Sequence, residues 1–414
     1  MDELGIDMLF HGEAEAELVP LVRDILDGRR PPRTFTARRT DHRNIPPILA
    51  PGTYGSVEIT RGCGRGCHFC SPTMRRRHSV PMDLIMREVA LTVDAGVDSI
   101  FILTEDLFLY RTHDHFIPNR GAIVELVRNI AEHPGVGDIH ISHCALAPIV
   151  YDPKILEETS PYLLEHTRRR YNGEPFVTAE VGVETGSRRL MRRHMAGKSL
   201  PYNVDDWPEL VIEGIGNMND HRWFPLITMM TGLPDETEDD VIATLELIDE
   251  LRDMKIFFTP LLFIPLKETA LARDKRINLE NLSELQFEFI ARSWKYNIHI
   301  WGDTVNTPIR VRTFAPPLFL AAFFLWARWK HGRNLTRPLL KLAGFPDDAV
   351  GGYVGRWADP RYAVPESRKP RYPIQRGKPL RPAIRLAGPG DGAGGGSRNG
   401  RKDGDDGRDT GEES

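Results

Sequence analysis

The most constraining feature of the sequence is a short run that contains three of its four cysteines. Cys63, Cys67 and Cys70 lie in the segment RGCGRGCHFC, residues 61–70, directly after a strand-like run at residues 56–60. The glycines of this segment allow sharp turns, so one loop can direct three sulfur atoms to a common centre. Thiolates are the ligands that soft metals and iron–sulfur clusters prefer. The spacing Cys-x3-Cys-x2-Cys therefore predicts a metal or cluster site.

Zinc, a disulfide framework and an iron–sulfur cluster are the alternatives for such a loop. A structural zinc site normally closes with two pairs of ligands, whereas the remaining cysteine, Cys144, lies far downstream without a partner. Disulfide frameworks are typical of small secreted chains, unlike this one of 414 residues. Three thiolates on a four-iron cluster leave one iron open, as catalytic metal sites do. We therefore favour a catalytic iron–sulfur cluster over zinc.

Composition is typical of a globular protein, with 41% hydrophobic and 27% charged residues. The net charge of −4 gives no global signature of nucleic-acid binding. The amino terminus opens with Met1-Asp2-Glu3, unlike the basic start of a signal peptide. Few cysteines, gathered in one oxidation-sensitive loop, favour a reducing compartment. We expect a cytoplasmic protein.

Strand and helix patterns alternate from residue 56 onward. After the first strand, we predict strands at 97–103, 138–142, 177–183, 224–230 and 257–264, and helices at 82–95, 122–132, 153–164, 187–194, 207–215 and 238–254. Thr237 and Asp240 form a capping-box pattern before the last helix. Helical crossovers imply parallel strands, either in an open doubly wound sheet or in a barrel or part-barrel.

With Phe69 before its last cysteine, the loop resembles the signature of the radical S-adenosylmethionine superfamily. The resemblance implies that Cys63, Cys67 and Cys70 hold a 4Fe–4S cluster, whose open iron binds the amino and carboxylate groups of S-adenosylmethionine. It places Phe69 near the adenine. It also implies an α/β fold built on a partial (β/α)6 TIM-type barrel.

Motifs at the other strand ends extend this resemblance over residues 56–270. The run TEDLF at 104–108 is similar to an Asp-Asp-x-Phe variant, which implies that Glu105 and Asp106 receive the amino group of S-adenosylmethionine. The turn GVETGS at 182–187 implies that Glu184 binds the ribose hydroxyls. The turn MTGLPDET at 230–237 implies that Gly232 lets the backbone approach the adenosyl group. Asp235 departs from the usual glycine in that turn.

The amino-terminal segment predicts a strand at residues 6–13 and a helix at 15–26, whose apolar positions Leu18, Leu21, Val22 and Ile25 should pack on the main domain. It resembles the last strand and helix of a cobalamin-binding domain. Either the chain is truncated at its start, or this segment is a remnant that packs on the main domain; the alternative is a simple N-terminal helical cap. No Asp-x-His-x-x-Gly motif is present in the sequence, so cobalamin binding by this chain is doubtful.

These patterns divide the chain into six segments. They are a cobalamin-domain remnant at 1–28, a Pro- and Arg-rich linker at 29–55, the radical S-adenosylmethionine core at 56–275, a helical extension at 276–345, a Pro/Arg-rich arm at 346–387 and a disordered tail at 388–414. Within the extension we predict a helix at 279–293. The apolar run at 318–330 is too short to span a bilayer. It predicts a buried helix or, alternatively, a hydrophobic substrate wall or a membrane-surface contact.

The sequence thus predicts an enzyme that reductively cleaves S-adenosylmethionine to a 5′-deoxyadenosyl radical, which abstracts hydrogen from an unknown substrate, with methylation as one outcome. The implied partners are a ferredoxin or flavodoxin and a substrate that is hydrophobic in part; no nucleic acid is indicated. A methylthiotransferase is less favoured, because no cysteines remain for a second cluster. The alternative is a non-catalytic iron–sulfur or nucleic-acid-binding protein. No catalytic residue is assigned. His140 and His143 predict a small polar cluster beside Cys144, itself more typical of a buried apolar residue.

Overall fold

The computed structural model describes residues 5–38, 40, 45–278, 281–301, 325 and 373–383. Contacts group Met1–Ile384 into one unit and Arg385–Ser414 into a second, which lies outside the described residues. The strands are β1 Leu9–His11, β2 Thr34–Thr36, β3 Ser56–Glu58, β4 Thr60–Arg61, β5 His78–Ser79, β6 Ser99–Leu103, β7 Asp138–Ile141, β8 Arg170–Tyr171, β9 Glu174–Pro175, β10 Glu180–Glu184, β11 Leu226–Thr231 and β12 Phe257–Leu262. The helices are α1 Leu18–Leu26, α2 Met82–Asp94, α3 Arg120–Ala131, α4 Leu146–Tyr151, α5 Lys154–Glu165, α6 Arg188–His194, α7 Trp207–Asp220, α8 Glu238–Glu250 and α9 Glu284–Trp301.

Six parallel strands form the centre of the molecule. They pair as two three-stranded sheets, β3-β6-β7 and β10-β11-β12. A parallel bridge between His143 and Glu180 joins the two, supported by the backbone bonds from Glu180 N to Ser142 O (2.9 Å) and from Cys144 N to Glu180 O (3.0 Å). The strands therefore follow one another in chain order without the reversal that defines a doubly wound sheet. This confirms the α/β prediction of a partial (β/α)6 barrel.

The barrel strands bury one face and leave the other partly open. Ile100, Ile102 and Val181 are fully buried, because helices cover that side of the sheet. Leu103 and Leu261 lie within barrel strands and yet are 43% and 39% exposed. The barrel interior is thus accessible at these positions and presents apolar surface there.

The amino-terminal segment differs from its prediction in two ways. β2 lies inside the predicted linker and pairs in parallel with β1, so that β1, α1 and β2 form a small β-α-β unit. Of the four apolar positions expected to pack, only Leu21 is buried, whereas Leu18, Val22 and Ile25 are 38%, 43% and 36% exposed. That prediction was wrong because a two-stranded sheet is too narrow to cover a whole helix face.

An ion pair connects this β-α-β unit to the barrel. Arg61, the last residue of β4, lies 2.6 Å from Glu15 and 2.6 Å from Glu58. The loop that follows it, between β4 and β5, carries the three cysteines and is called the cysteine loop. Glu13 accepts a hydrogen bond from the backbone N–H of Thr40 at 2.8 Å. Glu13 and Glu15 thus hold the segment that follows β2 and the start of the cysteine loop.

At the carboxyl-terminal side, α9 packs against β12 and α8 and confirms the predicted helix, although it runs from Glu284 to Trp301. Residues 373–383 of the predicted arm contact α7 at Glu209 and the end of α8 at Glu250. Lys378 pairs with Asp206 at 2.6 Å, and Arg376 donates to the backbone oxygen of Glu250 at 2.8 Å. The run at 318–330 lies outside the described residues except Leu325, and the tail at 388–414 lies wholly outside them. Within the described part of the chain, no helix is long and apolar enough to cross a membrane.

Candidate active site

The cysteine loop leaves the barrel after β4 and returns through β5, which pairs with β4 in antiparallel orientation. Gly62, Gly64 and Gly66 all have positive φ, which confirms the predicted sharp turns. At Gly62 a glycine is required, since a Cβ would lie 2.9 Å from the backbone oxygens of both Arg75 and Arg76. The backbone thus fixes the loop that presents the thiols.

The three loop cysteines are free thiols in a buried setting. Cys67 is buried, and Cys63 and Cys70 are partly buried. Burial raises the pKa of Cys67 to about 12 and also raises the pKa values of Cys63 and Cys70, and each of the three thiolates would repel at least one other. Such thiols become thiolates when a cation or cluster compensates their charge. Among the described residues, no three His, Cys, Asp or Glu side chains converge on a single metal-ion position. A cubane cluster bonds one thiolate to each iron, so three thiols on one loop fit it.

A buried ion pair lies beside the cysteines. Glu184, at the end of β10, accepts a hydrogen bond from Lys198 Nζ at 2.6 Å, and their side chains are 7% and 15% exposed. Burial lowers the pKa of Lys198, but the Glu184 carboxylate and the neighbouring thiols outweigh it and raise the pKa overall. Glu184 has φ +66° at a β-bulge, a strained conformation of the kind that clusters at functional sites.

Sequence reasoning predicted Glu184 but missed Lys198. Lys198 lies in the short helical turn Ala196–Lys198, 14 residues beyond Glu184 and separated from it by α6. The available signal was chemical: a carboxylate at a buried strand end requires a cation, and the next basic residue after α6 is the nearest candidate.

Glu105 and Asp106 are adjacent in sequence and differ in environment. Asp106 is 1% exposed, and its Oδ1 accepts from the backbone N–H groups of Phe108 (3.1 Å) and Ala145 (3.0 Å). Its Oδ2 accepts from Arg65 at 3.1 Å, so both carboxylate oxygens are engaged within the protein. Glu105 is partly buried; burial raises its pKa, while His143 and Arg75 oppose that shift. Of the two acids, only Glu105 presents a carboxylate that is not committed to a structural bond in the described chain.

The two other predicted cofactor contacts lie in well-defined turns. Phe69 is partly buried and packs against the core. Gly232 has φ +85°, and its N–H donates to Glu236 Oε2 at 2.8 Å. A Cβ at Gly232 would lie 2.5 Å from the side chain of Ile277. The side of Gly232 that lacks a Cβ is therefore covered by Ile277.

The two histidines form separate pairs instead of one cluster. His143 Nε2 lies 3.5 Å from Glu180 Oε2, while His140 Nε2 lies 3.2 Å from Asp138 Oδ2. The hydrogen bond to Glu180 raises the pKa of His143, whereas burial lowers that of His140. Cys144 is 3% exposed, and burial raises its pKa well above its usual range. This agrees with the interpretation of Cys144 as a buried apolar residue.

The four arginines of α6 all lie in ion pairs. Their partners are Glu209 for Arg188, Asp240 for Arg189, Asp205 for Arg192 and Asp235 for Arg193. These pairs connect α6 to neighbouring segments. They explain the run of arginines on α6 as structural, so a ligand is not needed to explain it.

A parallel barrel that carries a three-thiol loop after its first strand and buried charges beside it defines a class of cluster-dependent enzyme. Residues 57–248 match the model of the radical SAM superfamily. These residues are therefore a radical SAM domain, which supports an enzyme of that superfamily. The cofactors of that superfamily are a 4Fe–4S cluster and S-adenosylmethionine.

Curated relatives are similar over this core. A tRNA-2-methylthio-N(6)-dimethylallyladenosine synthase of Acidithiobacillus ferrooxidans is 26% identical over 257 residues, which cover 60% of this chain and 51% of the relative. The ribosomal protein uS12 methylthiotransferase RimO of Phocaeicola vulgatus is 27% identical over 208 residues, 50% of this chain and 43% of that protein. The chain thus spans about half the length of the relatives it matches.

One solved structure that the chain matches in part is the radical S-adenosylmethionine methyltransferase TsrM of Kitasatospora setae, with cobalamin and a [4Fe-4S] cluster bound. The TM-score is 0.39 at 14% identity, over 52% of this chain and 38% of TsrM.

Proposed function

We propose that Cys63, Cys67 and Cys70 ligate a 4Fe–4S cluster with which the enzyme cleaves S-adenosylmethionine and abstracts a hydrogen atom from its substrate. When bound, these cofactors supply the reductive cleavage to methionine and a 5′-deoxyadenosyl radical. One observation carries the proposal: three cysteines on one glycine-rich loop have free, largely buried thiols next to the Lys198–Glu184 pair. A purely structural cluster has no use for such a pair at a strand end.

The surrounding residues bind and orient S-adenosylmethionine in this proposal. The carboxylate of Glu105, which has no hydrogen-bond partner among the described residues, suits the amino group, while Asp106 acts indirectly through Arg65. The buried ammonium of Lys198, which lies near the thiols of Cys67 and Cys63, suits the methionine carboxylate. Glu184 keeps its second oxygen for a ribose hydroxyl. Phe69 and the turn at Gly232 flank the adenosyl group.

The barrel interior is the proposed substrate space. Its exposed apolar positions, Leu103 and Leu261, suit a substrate that is hydrophobic in part, and Glu180 with His143 offers polar contacts at the same level. The methylthio transfer to tRNA or to uS12 named for the relatives belongs to those proteins. A ferredoxin or flavodoxin in the cytoplasm would supply the electron.

Anaerobic reconstitution of the full chain, followed by iron and sulfide analysis, tests the proposal. We expect close to four irons per protein and formation of 5′-deoxyadenosine after dithionite reduction with S-adenosylmethionine. Cys67→Ala should lose both, whereas the matched control Cys144→Ala should keep both, because Cys144 lies outside the loop. A Cys67→Ala variant with a full cluster would contradict the ligand assignment. A loaded wild-type protein that forms no 5′-deoxyadenosine would favour the non-catalytic alternative.

A further inference from the structure

Arg65, in the middle of the cysteine loop between Cys63 and Cys67, turns its side chain into the protein. That side chain is only 4% exposed, and the carboxylate beside it, Asp106, is 2% exposed. Arginine is among the residues least often buried, and a buried guanidinium requires partners for its charge and for its N–H groups. The contacts of Arg65 therefore identify the parts of the protein that hold the loop in place.

The guanidinium of Arg65 joins the loop to two other parts of the barrel. Nη2 donates to Asp106 Oδ2 at 3.1 Å, and the other oxygen of Asp106 is held by backbone N–H groups at the ends of two strands. Nη1 donates to the backbone oxygens of Gly197 (3.2 Å) and Lys198 (3.3 Å). The guanidinium carbon also lies 4.8 Å from the ring centre of Phe116. One side chain thus links the loop to the Glu105–Asp106 strand end and to the turn that carries Lys198.

Gly197 shows how closely the loop and this turn approach each other. A Cβ at residue 197 would lie 1.8 Å from the backbone oxygen of Arg65, a distance that no side chain tolerates. The packing of backbone on backbone leaves little freedom for the residues between Cys63 and Cys67.

One donor of Arg65 is not used within the described part of the chain. Its Nε is buried and has no hydrogen-bond partner there. An unpaired buried donor is destabilising, so proteins rarely keep one without a use. Arg65 lies two residues from Cys63 and two from Cys67 in the same loop. A sulfur acceptor beside the loop would satisfy the unused Nε–H.

We propose that Arg65 is a positioning residue for the iron–sulfur cluster: it holds the loop in its ligating shape and donates its Nε–H to a cluster or cysteine sulfur. The inference rests on the proposed function. A buried cation and a hydrogen bond to sulfur stabilise the more negative, reduced cluster, which raises its reduction potential. We call the bonds from Arg65 to Asp106, Gly197 and Lys198 the clamp. The clamp exists without the cluster, because all of its partners are protein groups.

The first arm of the test uses the metal-free protein. Wild type, Arg65→Met, Arg65→Lys and the control Arg76→Met, an exposed arginine near the loop, are treated with iodoacetamide, and mass spectrometry follows each cysteine separately. We expect at least tenfold faster alkylation of Cys63 and Cys67 in Arg65→Met and unchanged rates in Arg76→Met, with buried Cys144 as the internal reference. Equal rates in wild type and Arg65→Met would overturn the clamp.

The second arm measures the reduction potential of the reconstituted cluster by redox titration with an EPR readout. Arg65→Met should shift the potential to more negative values, and Arg65→Lys should recover part of the shift because it restores the charge without Nε–H. An unchanged potential in Arg65→Met would overturn the hydrogen bond to sulfur. If Arg65→Met fails to fold, Asp106→Asn loosens the same clamp and is judged by the same two readouts. A wild type that loads no cluster would sink the proposed function, and the alkylation rates would still decide the clamp.

Discussion

At the residue scale, the charges near the cysteine loop are arranged in pairs. Arg65 with Asp106 and Lys198 with Glu184 bury two cations and two anions beside three thiols. A buried ion pair adds little net stability, but removal of one partner leaves an uncompensated charge that costs about 3–5 kcal/mol. The pairs therefore make this region sensitive to single substitutions and tolerant of matched double ones.

We predict this asymmetry for Lys198 and Glu184. Lys198→Met should lower the free energy of unfolding of the metal-free protein by about 3–5 kcal/mol, since Glu184 stays buried without its cation. The double variant Lys198→Met/Glu184→Gln should recover most of that loss. Urea unfolding followed by circular dichroism measures both.

Arg192→Met is the matched control for this cycle. Arg192 and Asp205 form an exposed pair, with 53% and 47% of their side chains accessible, so the change should stay within about 1 kcal/mol. Glu184→Gln is measured singly as well. If the loss of unfolding free energy in the double variant equals the sum of the losses in Lys198→Met and Glu184→Gln, Lys198 and Glu184 do not compensate each other.

The residues that sequence could predict are those with a local signature. The cysteines and Glu184 lie in short motifs, and their placement near one another follows from parallel strands. Lys198 and the role of Arg65 carry no such signature, because their partners lie 14 and 41 residues away and meet them only in the folded chain. Asp106 looked equivalent to Glu105, and only the burial of its carboxylate distinguishes the two.

At the element scale, the strands and long helices followed from apolar runs and periodicity, whereas short elements did not. α4 is six residues long and contains a proline, so its pattern gave no helical period. The three residues of β2 lie among arginines and prolines and gave no strand signal. The predicted capping box at α8 is confirmed, with Thr237 N donating to Asp240 Oδ2 at 2.8 Å.

That cap predicts an acid-dependent contribution to stability. Burial alone would raise the pKa of Asp240, but hydrogen bonds from Arg189, Ser187 and Thr237 outweigh it and lower the pKa to about 2. A lowered folded-state pKa stabilises the protein above the unfolded value near 4, and the contribution is lost as the pH falls through about 2. It amounts to about 2 kcal/mol at neutral pH.

Asp240→Asn should remove this pH-dependent part. The difference in unfolding free energy between wild type and Asp240→Asn should shrink by about 2 kcal/mol between pH 6 and pH 2. Asp253→Asn, at an exposed pair with Arg252, is the control and should show no comparable change. A difference that stays constant with pH would mean that Asp240 acts through its shape and not through its charge.

At the scale of the whole molecule, the family resemblance predicted the barrel, because the order of alternating elements leaves two topologies and the motifs choose one. It did not predict how much of the apolar face of α1 stays exposed. An amphipathic helix shows that one face can be covered and gives no information about what covers it. In this structure α1 keeps most of that face accessible.

We therefore predict that this chain does not bind cobalamin at micromolar concentration. The described residues 5–38 contain two three-residue strands and the nine-residue helix α1. Binding a ligand as large as a corrin costs about 4–15 kcal/mol in lost freedom, and desolvation adds to that. Covering what remains exposed of Leu18, Val22 and Ile25 would return only a few kcal/mol, at about 25 cal/mol per Å². Equilibrium dialysis of hydroxocobalamin against the full chain measures the affinity, and Val22→Asp/Leu26→Asp tests whether any signal is adsorption to α1. Micromolar binding that disappears in this double variant would show that the exposed helix face is a cobalamin surface after all.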